Sequence, residues 1–258
     1  MANKKIEFSA KNVKAFSAWL KKFSSIDTAL LLEIDESESQ FLAKTYNEER
    51  SVVKLSSIKF DAAGFTVKPS KDPKRVKVGI YNIARLMKIM DQFGDEEFLF
   101  IVNWDEIEGE TKEFAGINLI LKNKKLKITV DCTSLGIFKY VSDELFKDRI
   151  SAIDEVKVKF DLSQANIEQT NQLSALDEGK FLEFKNGANI YVSGQTFDLL
   201  LNEKVDEHDG TEDTIDLFKD QFNSIDIEDY VVQMGEEKLV FTSSDEFTTT
   251  VLSMVEKD

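Results

Sequence analysis

The sequence contains one cysteine, Cys132, one histidine, His208, and two prolines in 258 residues. A single cysteine excludes an internal disulfide and fits a reducing compartment. Cys132 ends a strand-like run, LKITVDC, where a small packed residue is expected, and the lone histidine is the only conventional base a thiol nucleophile could use. No apolar run approaches the roughly 20 residues of a membrane span. The start, MANKKIEFSA, lacks an apolar signal core, so a cytoplasmic protein without membrane contact is expected. There is no phosphate-cradling glycine pattern, no HExxH and no cysteine pair, which removes the usual nucleotide and zinc sites. The acidic stretch Asp206-Glu207-His208-Asp209-Gly210, with Glu212 and Asp213, fails the calcium-loop spacing, because Val205 occupies the first ligand position counted back from Gly210. Scattered carboxylates do not make a catalytic pair without geometry. No catalytic residue, metal or cofactor is expected.

The chain does have enough apolar surface for a real core. Hydrophobic residues make up 42%, which with so little proline argues against disorder. Its length suits one large domain or two of ordinary size. Charge is abundant and uneven. The formal net charge is -15; residues 1–135 carry 22 Lys plus Arg against 20 Asp plus Glu, net +2, and residues 136–258 carry 11 against 28, net -17. An acidic protein does not coat nucleic acid indiscriminately, but it can hold it where its positive groups are concentrated.

Those groups concentrate on two segments of helical period. Over Lys11–Ser24, Val13, Phe16, Leu20 and Phe23 share one face, and Lys11, Lys14, Lys21 and Lys22 the opposite one, with small Ser17 and Ala18 between them. Over Asn82–Phe93, Ile83, Leu86, Met87, Met90 and Phe93 form the apolar side, Asn82 is placed to cap the start, and Arg85 and Lys88 lie opposite. One basic helix face reads as solvated surface. Two of them, each after a strand-like run, read as one surface able to follow a phosphate backbone without reading bases. The lysine-rich turn Lys122, Lys124, Lys125 and Lys127 is a secondary candidate, explained equally well as a solubilising hairpin.

Strands are expected at Ile6–Ala10, Ala29–Asp35, Gln40–Tyr46, Ser51–Phe60, Val76–Tyr81, Glu97–Trp104, Phe114–Lys122 and Lys125–Thr133, with Phe65–Lys77, which holds both prolines, as a loop. Ser134–Glu155 has apolar residues without a clean period and reads as a connector. The order then repeats. A strand at Val156–Phe160 leads into a helix capped by Asp161 and running to about Leu176. Strands at Phe181–Phe184 and Ala188–Ser193 flank an Asn186-Gly187 turn, and another follows at Phe197–Val205. A helix over Thr214–Ile225 places Ile215, Phe218, Phe222 and Ile225 on one face, and strands at Tyr230–Met234, Lys238–Thr242 and Phe247–Val255 close the chain. The expected class is α+β, duplicated with a period of about 150 residues, as 1–133, a connector 134–155, and 156–258.

This ordered set resembles the DNA sliding clamps, those of tailed bacteriophages foremost, with the architecture of proliferating cell nuclear antigen. The resemblance is carried by Val78-Gly79-Ile80-Tyr81-Asn82-Ile83 leading into the Arg85/Lys88 helix, by Val130-Asp131-Cys132-Thr133-Ser134 leading into an aromatic connector, and by a last strand Phe247–Val255 with almost no tail. It implies two pseudo-repeated clamp domains, each of antiparallel sheets with two helices on one face, joined head to tail into a homotrimeric ring whose helices line the hole. It implies no catalysis. Such a ring encircles double-stranded DNA regardless of sequence, tethers the replicative DNA polymerase, is opened by a clamp-loader ATPase, and in phages also serves late transcription, all in the cytoplasm of the bacterial host. Partner peptides would dock beside the connector, with Ile137, Phe138, Tyr140 and Val141, and also Leu145, as candidates; a connector merely stapled to both domains would use the same residues. The phosphate-facing set on this plan is Lys11, Lys14, Lys21, Lys22, Arg85 and Lys88.

The second half departs from the plan. Its first helix offers Gln164, Asn166, Gln169, Asn171 and Gln172 but no Lys or Arg, and its second exposes Asp216 and Asp220 with Lys219 as the only base. The first half is therefore expected to carry the phosphate contact. Three rival readings remain: a metal-dependent nuclease, which needs clustered carboxylates in a cleft; a ring- or tube-forming phage structural protein, which gains little from lysines on two helices; and a clamp fold that has lost its DNA role.

Overall fold

The structure is a computed structural model that describes residues 4–67, 72–107, 113–141, 155–203, 213–245 and 247–255. The chain divides into two compact units. The first comprises Met1–Thr45 and Leu55–Ser142, the second Tyr46–Lys54 and Asp143–Asp258.

In the first unit, β1 (Lys5–Ala10) buries Ile6, Phe8 and Ala10 and turns Lys5, Glu7 and Ser9 away, as a period of two requires. The same alternation sends Leu30, Leu32 and Ile34 of β2 (Leu30–Asp35) into the core. β2 pairs with β3 (Gln40–Tyr46) on one side and β6 (Arg75–Ile80) on the other, and β4 (Val52–Lys59), which belongs to this unit from Leu55 on, flanks β3. β1 runs antiparallel between the short β5 (Phe65–Val67) and β7 (Phe98–Ile107). β8 (Glu113–Lys122) pairs along β7, takes β6 in parallel at its start, and takes β9 (Lys127–Asp131) antiparallel at its end.

Two helices, α1 (Lys14–Lys21) and α2 (Ile83–Asp91), lay their apolar faces on this core. The ring of Phe16 lies 4.8 Å from that of Phe41 and 4.9 Å from that of Phe65, and Phe8 stands edge-on to Phe60 at 5.0 Å. Such tilted and edge-on contacts suit the aromatic quadrupole. Each fully buried ring adds about 1.5–3 kcal/mol from burial, so the aromatic cluster anchors α1 to the sheet.

Two expectations need correction here. The Lys11–Ser24 helix is shorter than its period indicates. Asn12 adopts φ +53° and the Lys11 N–H donates to the Gly64 carbonyl at 3.0 Å, so the chain turns before the helix begins at Lys14. Beyond Lys21 the bonds tighten to three-residue spacing, from Phe23 to Leu20 and from Ser24 to Lys21. Val13 and Phe23 are buried without lying in the helix, which is why the apolar spacing overran its ends. The loop expected at Phe65–Lys77 contains β5 and the start of β6, because Phe65 closes the aromatic cluster while pairing with Ala10.

In the second unit, β10 (Val158–Leu162), β15 (Tyr230–Met234), β16 (Lys238–Ser243) and β17 (Thr248–Ser253) pair in that order. A second sheet runs β13 (Asp198–Glu203), β12 (Asn189–Ser193), β11 (Phe181–Asn186), β14 (Asp213–Phe218). α3 (Gln164–Leu176) follows β10, and the single turn α4 (Lys219–Phe222) follows β14. Phe222 links the sheets, 5.7 Å from Phe184 on β11 and 6.4 Å from Phe241 on β16.

The helix cap and the last helix also differ from expectation. Asp161 lies inside β10; the cap is Ser163, whose Oγ accepts from the Asn166 N–H at 3.2 Å. The Thr214–Ile225 helix is a strand followed by one helical turn. Ile215 and Leu217 are fully buried two residues apart, and Leu217 pairs with Leu182 of β11. The helical stripe omitted Leu217, so period two describes the segment better than period 3.6.

Both units share one pairing plan. The first strand pairs with the strand after the second helix, as β1 with β7 and β10 with β15. The strand after the first helix sits between the next strand and the one entering the second helix, as β2 and β11 do. The duplication therefore lies in strand pairing as well as in element order. Among the described residues no helix is long and apolar enough to cross a membrane.

Candidate nucleic-acid interface

α1 and α2 pack side by side in the first unit. Phe16, Trp19 and Leu20 fix the inner face of α1, and Trp19 Nε1 donates to Ser56 Oγ at 2.9 Å, which sets the helix's rotation. Lys14, Ala15, Ala18 and Lys21 are left in water. The alanines are small, so nothing bulky stands between the two ammonium groups. On α2, Asn82 Oδ1 accepts from the Arg85 N–H at 2.7 Å and defines the first turn. Ile83, Leu86 and Met90 are buried, and Arg85 and Lys88 are turned to solvent.

The six expected phosphate contacts are not equivalent. Lys14, Lys21, Arg85 and Lys88 are brought together on the adjacent helices. Lys11 is exposed but lies ahead of α1, held by its backbone bond to Gly64. Lys22 is the helix C-cap, half-buried and engaged with other groups. Lys14 faces Asp95 at 3.6 Å across water-exposed surface. In the lysine-rich turn, Asn123 Oδ1 accepts from the N–H groups of Lys125 and Leu126 at 2.9 Å each. Lys125 Nζ donates to Glu96 at 2.8 Å, and this carboxylate holds the Lys125 pKa above its ordinary value.

The second unit presents a different face. α3 exposes Gln164, Glu168, Gln169 and Gln172 among its polar residues, with Gln169 and Gln172 on successive turns. Lys219 turns inward instead of facing solvent. Its ammonium group donates to the carbonyls of Ser174 at 2.9 Å and Asp177 at 2.6 Å, and pairs with Asp177 Oδ2 at 2.9 Å. It closes the C-terminal end of α3, where a positive charge is favoured. Lys219, with the Thr196 hydroxyl and N–H, holds the Asp177 carboxyl well below the usual range.

The connector begins as a tight 3-10 segment, Leu135–Val141. Phe138 is buried at 6% exposure, whereas Ile137 stands 46% exposed. A Cβ at Gly79 of β6 would lie 2.4 Å from the Thr133 carbonyl and 3.0 Å from the Phe138 ring, so glycine is what lets the connector close onto the strand. The side chains of Tyr140 and Val141, and the whole of Leu145, Phe146 and Ile150, lie outside the described residues, as do His208 and the acidic stretch 206–212. Cys132 is half-buried, and burial together with Asp131 pushes its thiol up to about 12, far from a thiolate at neutral pH.

A cavity of about 390 Å³ opens in the second unit, lined by Arg50, Val53, Glu237, Lys238, Val251 and Met254 among others. Sequence reading missed it because its walls come from three distant stretches, none with a motif. Among the described residues no group of three His, Cys, Asp or Glu side chains is arranged to hold a metal ion.

No family model matches the chain, and no curated protein matches it in sequence. Solved structures do match. The PCNA of A. fulgidus, bound to the C-terminal region of FEN-1, superposes with a TM-score of 0.61 at 11% identity, over 98% of this chain and 99% of its own. The Helicobacter pylori beta clamp bound to a DNA ligase peptide gives 0.64 at 9% identity, over 100% of this chain and 67% of its own. The DNA polymerase III subunit beta of Pseudomonas aeruginosa gives 0.65 at 10% identity, over 98% and 65%. The chain thus spans about two thirds of those bacterial subunits and nearly the whole of the A. fulgidus one. At such identities the likeness is one of fold: this mixed α+β chain, with large antiparallel sheets and few helices, has the sliding-clamp fold.

Proposed function

We propose that the chain is the subunit of a DNA sliding clamp, a non-catalytic ring that encircles duplex DNA and tethers the replicative polymerase. One observation carries the reading: a sliding-clamp fold spans the chain, and the adjacent helices of its first unit present Lys14, Lys21, Arg85 and Lys88 to water. Sliding needs an attraction that is long-ranged and blind to sequence. Flexible cations acting on phosphates provide it, whereas bidentate bonds to base edges would stall the ring. Lys11 and Lys22 stand at the ends of the same segment and complete the set. The amide and carboxylate surface of the second unit contributes little.

Head-to-tail closure is supported by two strand edges. β9 pairs with β8 alone and β13 with β12 alone among the described residues, so each leaves a row of backbone groups for another chain. β9 follows the lysine-rich turn and β13 carries Asp198 and Glu203, so unlike charges would meet between copies. Three two-unit copies make a six-unit ring. A clamp-loader ATPase opens it in this reading, and the cavity beside Val53, Val251 and Met254 receives a partner peptide, with exposed Ile137 as a second docking point. Phage origin, work in the host cytoplasm and a part in late transcription extend the same reading. Light scattering over a range of concentrations tests it, with an expected mass of three times 29.4 kDa. A monomer at every concentration that also leaves polymerase processivity on primed circles unchanged would overturn it.

A further inference from the structure

The turn after α2 reads Gly94-Asp95-Glu96-Glu97, and its shape is fixed at both ends. Gly94 takes φ +56°, a left-handed conformation that suits glycine. Phe93 is buried and stacks on Phe98 at 4.6 Å. The three carboxylates between them each meet a different element. Asp95 faces Lys14 of α1 at 3.6 Å. Glu96 accepts from Lys125 at 2.8 Å and from Asn123 Nδ2 at 3.0 Å, both in the β8–β9 turn. Glu97 accepts from the Ser9 hydroxyl on β1.

Folding does not explain the two ion pairs. Lys14 and Asp95 are 82% and 84% exposed, Lys125 and Glu96 78% and 55%. Pairs so open to water are weak and add little to stability. Lys14 is, however, in the set that the reading above directs at phosphate, and Lys125 lies in the lysine-rich turn that is the secondary phosphate candidate of the sequence. We infer that Asp95 and Glu96 are internal competitors for phosphate: they hold Lys14 and Lys125 in the free protein and give them up to a duplex, lowering the grip of the basic face. The inference rests on the clamp reading and adds a regulating contact to it. A carboxylate fixed to the protein stays in place while phosphates recur along a moving backbone. Each lysine therefore exchanges between a stationary partner and a passing one, and no phosphate is gripped at full strength. Such a face attracts a duplex without arresting it.

The test is binding of the full-length chain to a short fluorescent duplex at low salt, followed by anisotropy. Asp95→Asn is expected to tighten binding about two- to fivefold, the scale of one exposed pair. In a Lys14→Ala background the same substitution should lose most of that gain, since the cycle isolates the coupling between the two residues. Glu96→Gln should behave likewise against Lys125→Ala. Equal gains with and without the lysine would overturn the proposal, because they would report only a general change in charge. Unchanged binding by Asp95→Asn, with Lys14→Ala still weakening it, would overturn it as well and leave the clamp reading standing. Absence of duplex binding by the wild type and every variant would overturn the proposal; encirclement, which lets go of a linear duplex, is tested separately on circular DNA.

Discussion

Lys21 and Lys22 are adjacent in sequence and placed differently by the fold. Lys21 is exposed on the open face of α1, and Lys22 is half-buried and engaged at its C-cap. Helical period made the first legible, since it sorts positions by face. It misplaced the second, because the last turn tightens. Replacing Lys14, Lys21, Arg85 and Lys88 by alanine should weaken duplex binding uniformly across sequences. The slope of log affinity against log salt should fall by about 0.9 for each phosphate that is no longer neutralised, and an unchanged slope would remove the helices from the interface. Lys219→Ala is the contrasting case. Its ammonium group is spent on Ser174 and Asp177, 45 and 42 positions away, so the slope should stay constant while the melting temperature drops. Sequence alone marked Lys219 as a surface base because these partners are distant along the chain.

At the scale of elements, strands that alternate cleanly and helices with a full apolar stripe were legible. Segments whose ends are set by tertiary contacts were not. β14 was misread because Ile215 and Phe222 fit a helical stripe until Leu217 is counted. The charged group inside the first unit was invisible for a related reason. Glu33 of β2 is fully buried, accepting from Lys44 of β3 at 2.7 Å and from Arg75 Nε of β6 at 2.7 Å, and nothing in the local pattern separates it from an exposed glutamate. Glu33→Gln withdraws the buried carboxylate that both cations share and should cost about 3–5 kcal/mol, read as a lowered midpoint in denaturant. Gly79→Ala drives a methyl into the Thr133 carbonyl. It should cost about 1–3 kcal/mol as overpacking does and raise hydrogen exchange over residues 133–138. Normal exchange there would show that the connector does not depend on this close approach.

Asp177 ties the end of α3 to the turn before β13, and its effect depends on pH. Its carboxyl titrates lower in the folded chain than the ordinary value near 4. The folded state is therefore favoured by the ionised form, and that benefit is present above pH ~4 and lost as pH falls toward the folded value. Asp177→Asn should melt below wild type at pH 7, with the gap closing in acid. A gap that holds constant into acid would contradict the ionised pairing with Lys219.

For the whole molecule, the duplication was legible from element order, and the structure adds that the two halves share a strand-pairing plan. The sign of charge followed the same division. Among the described residues, the cations exposed on α1 and α2 lie in the near-neutral half, and Lys219 on α4 of the acidic half is turned inward. A ring built this way would hold DNA through one unit of each subunit while its acidic remainder repels DNA elsewhere. The cavity near Met254 was not legible at any scale of sequence, being made only when distant stretches meet.

Encirclement is the central claim, and topology tests it most directly. The chain, at a concentration that favours assembly, is incubated with nicked circular duplex DNA, and the mixture is passed through a sizing column before and after the circle is cut once. The account requires the protein to travel with the intact circle and to be lost when the DNA is linear. Equal retention on circular and linear DNA would mean surface binding and would contradict a ring threaded by the duplex.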